Sequence, residues 1–230
     1  GTCVETTGEC KQGMDINYKS QWGYMVQAVT LANTGEPLYV VNRPGNRPSH
    51  EQANVYLDQA VALCRRAGFR QVRLRGDTDF SQTRHLDRWD TAGVKFLFGI
   101  KAMSSLYEHV ENLPQSAWKE LARPAKYAVK TEPRRRPVNA KQKVVEDRKF
   151  TDIRLAKEYV AEFRYRPLAC DRDYRIVVVW KALEVHKGQR KLFDDARCVF
   201  YITNDFDKAA KDVVFEGNHR CNQENLFAQL

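Results

Sequence analysis

The sequence predicts an α/β domain: a mixed sheet flanked by helices, with a β-rich subdomain inserted before the last helix. Three observations predict it. An antiparallel meander opens the chain, helices and strands then alternate as far as Ile100, and a second group of strands comes after a basic stretch.

Gly1 to Thr6 reads as the end of a strand. Lys11-Gln12-Gly13 and the run from Tyr18 to Tyr24 are polar, aromatic and glycine-marked, as turns are. Tyr24 to Ala32 is a second strand, Asn33-Thr34-Gly35-Glu36 has the length and residues of a hairpin loop, and Pro37 to Val41 returns as its partner. After the loop Arg43 to Pro48, Ser49 with Gln52 three residues later predicts a capping box. Ala53, Tyr56, Leu57, Ala60, Val61, Cys64 and Ala67 then recur at helical spacing, and Gly68 closes the helix. Val72 to Asp77 is a strand. Ser81 is expected to cap a second helix that turns Leu86, Trp89 and Ala92 inward and ends at Gly93, before a strand from Val94 to Ile100. This order is the layout of ribonuclease-H-like domains.

Residues 103–113 predict a short helix. Lys119 to Arg154 holds twelve Lys or Arg against five Asp or Glu, so the basicity is local. Broken by Pro124, Pro133 and Pro137, it reads either as an arm whose Arg134-Arg135-Arg136 tracks phosphates or as a solvated insertion. Strands at Lys157 to Arg166, Tyr174 to Val185 and Ala196 to Thr203 predict a small antiparallel sheet of their own, one face packed and the other meeting DNA. Asp205 to Lys211 is expected as a loop or turn of helix, and Arg220 to Leu230 as a helix with Leu226, Phe227 and Leu230 on one side. The expected division is a first part of the core over 1–100, the basic and β-rich insertion over 101–215, and a helix over 216–230 that completes the core.

The 230 residues are 43% hydrophobic, which excludes a wholly disordered chain, and carry a formal charge of +9, which favours a polyanionic partner. No apolar run approaches the roughly 20 residues that span a bilayer, so a soluble, intracellular protein is expected. The six cysteines are scattered without Cys-x-x-Cys or Cys/His clusters and read as reduced thiols. His85 and His219 show no paired ligand spacing. The chain opens at Gly1 and stops inside an apolar pattern at Leu230, so it is expected to be a piece of a longer protein.

The stretch Val72-Arg73-Leu74-Arg75-Gly76-Asp77-Thr78-Asp79-Phe80 ends a strand at a glycine and delivers a carboxylate. Asp77 is thereby a candidate ligand for a hard divalent cation, or else the first residue of an Asx turn. Asp79 either shares that duty or starts the next helix; Asp15 and Glu5 lie where a substitute acid would come from. Arg220 and Glu224 stand four apart, on one helical face, which taken alone reads as a surface ion pair. Lys11, Lys19, Arg43 and Arg47 are loop cations that either touch a DNA backbone or are simply solvated.

Four passages carry a family likeness: Glu9 to Gly13 with Tyr18 to Tyr24, Arg43 to Ser49, Arg75 to Phe80, and Asn218 to Leu226. With them the chain resembles DDE transposases of bacterial insertion sequences, in the group with a Tyr-x2-Arg-x3-Glu-x6-Lys signature and most closely the insertion-sequence family thirteen-eighty. The resemblance implies a ribonuclease-H-like domain in which three acids bind two Mg²⁺ (or Mn²⁺ in substitution), roughly 3.5–4 Å apart, for strand cleavage and transfer. It places Asp77 as the second acid, Glu224 as the third and Arg220 as the signature arginine on a DNA phosphate. It also implies transposon-end DNA as partner, a synaptic homodimer, and a place in the bacterial cytoplasm at the nucleoid.

The chain departs from the family pattern at three places. The family's first acid belongs to an Asp-x-Asp-Gly-Thr strand, of which this chain holds only Gly1-Thr2; Gly217 occupies the signature tyrosine position; and the signature lysine would fall just past Leu230. The chain is therefore expected to be an incomplete core, inactive alone. The rival readings are a non-catalytic DNA-binding remnant and a ribonuclease-H-like nuclease acting on hybrids or junctions.

Overall fold

Strands β1 (Thr2–Glu5), β2 (Asp15–Ile16), β3 (Trp22–Thr30) and β4 (Pro37–Pro44) form one antiparallel sheet in the computed structural model, which describes residues 2–6, 8, 11–123, 144, 147–148, 151–187 and 190–218. β3 is the spine, paired with each of the others. Its alternation fixes the faces: Gly23, Met25 and Gln27 are buried, whereas Trp22 is exposed and Tyr24 and Val26 are half-buried between them. The hairpin closes as its sequence predicts, with Gly35 N–H donating to Leu31 O at 2.8 Å.

The helix α1 (Ala53–Arg66) buries Ala53, Leu57, Ala60, Val61 and Cys64, the face read from the spacing. Its start differs. Ser49 and Gln52 form no capping box; Gln52 is itself the cap residue, in the left-handed region at φ 57°, without a side-chain capping bond. The reason lies in the preceding loop, whose Pro48 and Glu51 carbonyls are taken by the buried Arg43 guanidinium at 3.0 and 3.2 Å.

The chain divides into two units, one of Gly1–Lys101, Phe163–Ile176 and Tyr201–Leu230, the other of Ala102–Glu162 and Val177–Phe200. In the first, β5 (Arg73–Gly76) runs parallel to β6 (Lys95–Ile100), with α2 (Leu86–Thr91) between them in the chain. β6 is buried from Phe96 to Ile100, the continuous apolar run of a strand covered on both faces. Phe96 and Phe98 stack at 6.0 Å, Trp89 of α2 lies 5.8 Å from Phe98, and its Nε1 donates to Asp58 of α1 at 2.8 Å.

In the second unit α3 (Ser104–Glu111) buries Leu106 completely and sets Tyr107 edge-on to Phe200 at 5.5 Å. The short β7 (Lys119–Glu120) lies antiparallel to β8 (Thr151–Tyr165). The carboxylate of Glu158, nearly closed to solvent, is held by Arg123 and by Lys181. Arg123's hydrogen bond is the main cause of Glu158's lowered pKa; burial opposes it and the two cations' charges add to it.

A further expectation is overturned. β8, β9 (Tyr174–Lys187) and β10 (Arg190–Thr203) do not make a sheet of their own: the order is β5-β6-β10-β9-β8-β7 in one sheet. The join is made by side chains at the end of β10 and just past it. Asn204 accepts from Phe96 N–H at 2.9 Å and donates to Val94 O at 3.0 Å and to Asp90 at 2.8 Å, while Thr203 Oγ1 donates to Phe96 O at 2.6 Å. The last described element is α4 (Ala210–Asn218), which begins at the end of the turn expected over Asp205 to Lys211 and runs into the start of the helix expected over 216–230; Val213, Val214 and Gly217 form its buried face. Among the described residues Cys3, Cys64, Cys170 and Cys198 are free thiols, and no helix is long and apolar enough to cross a membrane.

Candidate active site

β5 presents its carboxylate at a bend. Residue 76 must be small: a Cβ there would lie 2.9 Å from Phe80 Cβ and 3.1 Å from Phe98 Cδ1, so glycine lets the chain fold back over the strand. Asp77 comes next in extended conformation, half-buried, and its Oδ1 accepts the Asp79 N–H at 3.0 Å. The Asx turn is thus present, and it immobilises the carboxylate. Asp77, not Ser81, is the capping residue here, and the element it caps is a 3-10 turn over Thr78–Phe80; Ser81 closes that turn by donating from Oγ to Thr78 O at 2.8 Å.

Behind Asp77 two arginines on β5 reach the last turn of α4. Arg73 Nη1 donates to Glu216 Oε2 at 2.8 Å and to Oε1 at 3.0 Å, and Arg73 Nη2 pairs with Asp205. Lys208 also pairs with Glu216. Arg75 Nη1 donates to the Glu216 backbone carbonyl at 3.2 Å. α4 has no basic residue of its own in its last turn, so Arg75 supplies the cation that helix carbonyl ends favour. Burial pushes Glu216 toward protonation, but the hydrogen bonds and charges of Lys208 and Arg73 outweigh it and leave its pKa below the usual carboxylate value. The turn carrying Asp205 is anchored in its own right, because buried Arg175 donates to Asp205 O at 2.9 Å and Lys208 O at 2.6 Å.

Gly217 of α4 faces the buried ring of Tyr201. A Cβ on residue 217 would stand 2.6 Å from Tyr201 Cε1, and the Tyr201 hydroxyl donates to Asn218 Oδ1 at 3.0 Å. The glycine is a packing requirement of this helix.

The remaining expected residues fall into three groups. Glu224, Arg220, Arg134, Arg135 and Arg136, together with His219, lie outside the described residues. Lys11 is exposed, with its Nζ donating to Thr6 Oγ1 at 2.6 Å, and Arg47 is exposed beside Glu51 at 3.2 Å, so both keep the surface position expected of them. Arg43 does not: it is buried, and burial, the largest influence on it, lowers its pKa, because the guanidinium points into the 44–52 loop. Among the described residues no three His, Cys, Asp or Glu side chains converge as metal ligands.

The residues that the sequence alone did not single out are Arg73, Arg75, Asp205, Lys208 and Glu216. A signal was present: two arginines alternate with Leu74 on a short strand, and cations so placed need counter-charges from elsewhere in the chain.

No curated protein matches the chain. The family described as "Transposase DDE domain group 1" matches residues 1–229. With a mixed α/β architecture whose strand end delivers an acid, the chain belongs to the DDE transposase domain family.

Proposed function

We propose that this chain is the catalytic domain of a transposase that binds transposon-end DNA and performs Mg²⁺-dependent strand cleavage and transfer, within the insertion-sequence family thirteen-eighty and its Tyr-Arg-Glu-Lys group. The observation that carries the reading is the 3.2 Å bond from Arg75 to Glu216 O. It joins β5, which Asp77 follows directly, to α4, whose last residue Asn218 stands six before Glu224 in the sequence. Six residues span at most about 20 Å, and the proposal puts Glu224 at the same metal site as Asp77.

The donor set fits a hard cation. Asp77 offers a carboxylate fixed through Oδ1, and among the described residues its Oδ2 makes no hydrogen bond. Asp77 and Glu224 would hold the ions, together with the family's first acid. Bound Mg²⁺ supplies Lewis acidity toward the phosphodiester and lowers the pKa of an attacking hydroxyl or water. The chain's own part is to orient: Arg220 holds a phosphate near the cut, and Lys11, Arg47 and the 134–136 arm track the backbone. Arg43 is assigned to the loop instead. The insertion and the synaptic homodimer belong to the same proposal, as does action at the bacterial nucleoid.

The test is nicking of inverted-repeat DNA by the intact protein in Mg²⁺. Metal-dependent nicking at the ends, lost in Asp77→Asn and in Glu224→Gln, is expected. Absence of nicking in both Mg²⁺ and Mn²⁺ overturns the catalytic reading in favour of a DNA-binding remnant. Equal cutting of hybrids or junctions points to the structure-selective nuclease.

A further inference from the structure

Outside the acids themselves, an extended polar network joins β5 to α4. Arg73, Arg75, Asp205, Lys208 and Glu216 come from the strand, from the turn after β10 and from the helix. Fold stability alone does not call for it, because α4 already buries Val213 and Val214 completely or nearly so. What the polar contacts add is direction. Apolar packing lets a helix slide or rotate by a fraction of a turn, whereas an Arg73 that reaches both Glu216 oxygens from Nη1 and Asp205 from Nη2, with a donor on a named carbonyl, restrains both.

We propose that Glu216 is a positioning residue: clamped by Arg73 and Lys208 through its side chain and by Arg75 through its carbonyl, it sets where the chain leaves α4 relative to Asp77. The inference rests on the catalytic reading and deepens it. Arg75 lies two residues before Asp77, and Glu216 eight before Glu224, so the clamp sits at the root of both acids. Gly217 contributes by seating the same turn against Tyr201. Glu216 touches neither metal nor DNA in this assignment; it acts through the acids it aligns.

The experiment measures Mn²⁺ affinity of the intact protein by the loss of the free-ion electron paramagnetic resonance signal, beside its melting temperature and its binding of end DNA without metal. Glu216→Gln is expected to weaken Mn²⁺ binding at least fivefold with metal-free DNA binding unchanged. Arg75→Met should do the same, and Arg75→Lys should recover most of the affinity. Asp77→Asn distinguishes the two levels. If it abolishes Mn²⁺ binding while Glu216→Gln and Arg75→Met bind as the parent does, the positioning role is overturned and the metal site stands. If Asp77→Asn binds Mn²⁺ unchanged, the metal site falls and the positioning role falls with it. Should Glu216→Gln fail to fold, Arg75→Met decides, since it leaves the Arg73–Glu216 pair intact.

Discussion

Tyr201 fills the space that a side chain on residue 217 would need, its Cε1 standing 2.6 Å from the position of the absent Cβ. Gly217→Tyr is therefore expected to destabilise this protein, by roughly 1–3 kcal/mol or more from overpacking. Chemical denaturation measures it. The double variant Gly217→Tyr/Tyr201→Gly should recover part of the loss, because one ring then occupies the place of the other.

Asp77 has two duties that substitution separates. Asparagine retains an oxygen that can accept the Asp79 N–H, so Asp77→Asn should keep stability within about 0.5 kcal/mol while end cleavage is lost. Asp77→Ala removes the cap as well and should cost a further ~1 kcal/mol. Unfolding midpoints and nicking rates of the two variants, side by side, check both.

Acid should weaken the fold through Glu216 and Glu158. Both have pKa values lowered from the ordinary 4.5. For Glu158 the Arg123 hydrogen bond leads; for Glu216 burial acts first, in the opposite sense, and is overcome by Lys208 and Arg73. A carboxylate whose folded pKa lies below its unfolded one stabilises the fold fully above the unfolded value and ceases to do so as pH falls through the folded value. Urea midpoints are expected to be level from pH 7 to about 5 on this account and to decline below about 4.5, with a shallower decline in Glu216→Gln.

The basic loop residues should divide by exposure. Arg43→Met leaves the carbonyls of Pro48 and Glu51 without their buried donor and is expected to cost about 1–3 kcal/mol. Lys11→Ala and Arg47→Ala should alter stability by less than about 0.5 kcal/mol. Each should instead reduce the salt dependence of end-DNA binding by about one charge, measured as the slope of log affinity against log salt.

Local pattern made the first hundred residues readable. Turn residues and alternation located β3, β4, β5 and β6, and three-four spacing located α1 and its buried face. Features settled by distant partners were not readable. Ser49 and Gln52 have the composition of a capping box, but Arg43 holds the loop's carbonyls and the helix starts at Ala53. The strands after residue 150 have the composition of an independent sheet, yet Thr203 and Asn204 join them to β6 through backbone groups that no periodicity reveals. α4 was obscured by its small buried face, in which Gly217 contributes no apolar side chain and owes its place to Tyr201. Of the candidate site, Asp77 was legible because a glycine and a carboxylate at a strand end form a local motif; the clamp on Glu216 was not, since its members lie far apart along the chain.

Asn204 behaves like one more rung of β6, its amide answering Val94 O and Phe96 N–H as a neighbouring backbone would. Alignment of the returning chain with the central strand is thus written in a single side chain after the excursion has ended. The second unit's own segments, Ala102–Glu162 and Val177–Phe200, can then grow or shrink over evolutionary time, and the polypeptide still re-enters the core in the same frame.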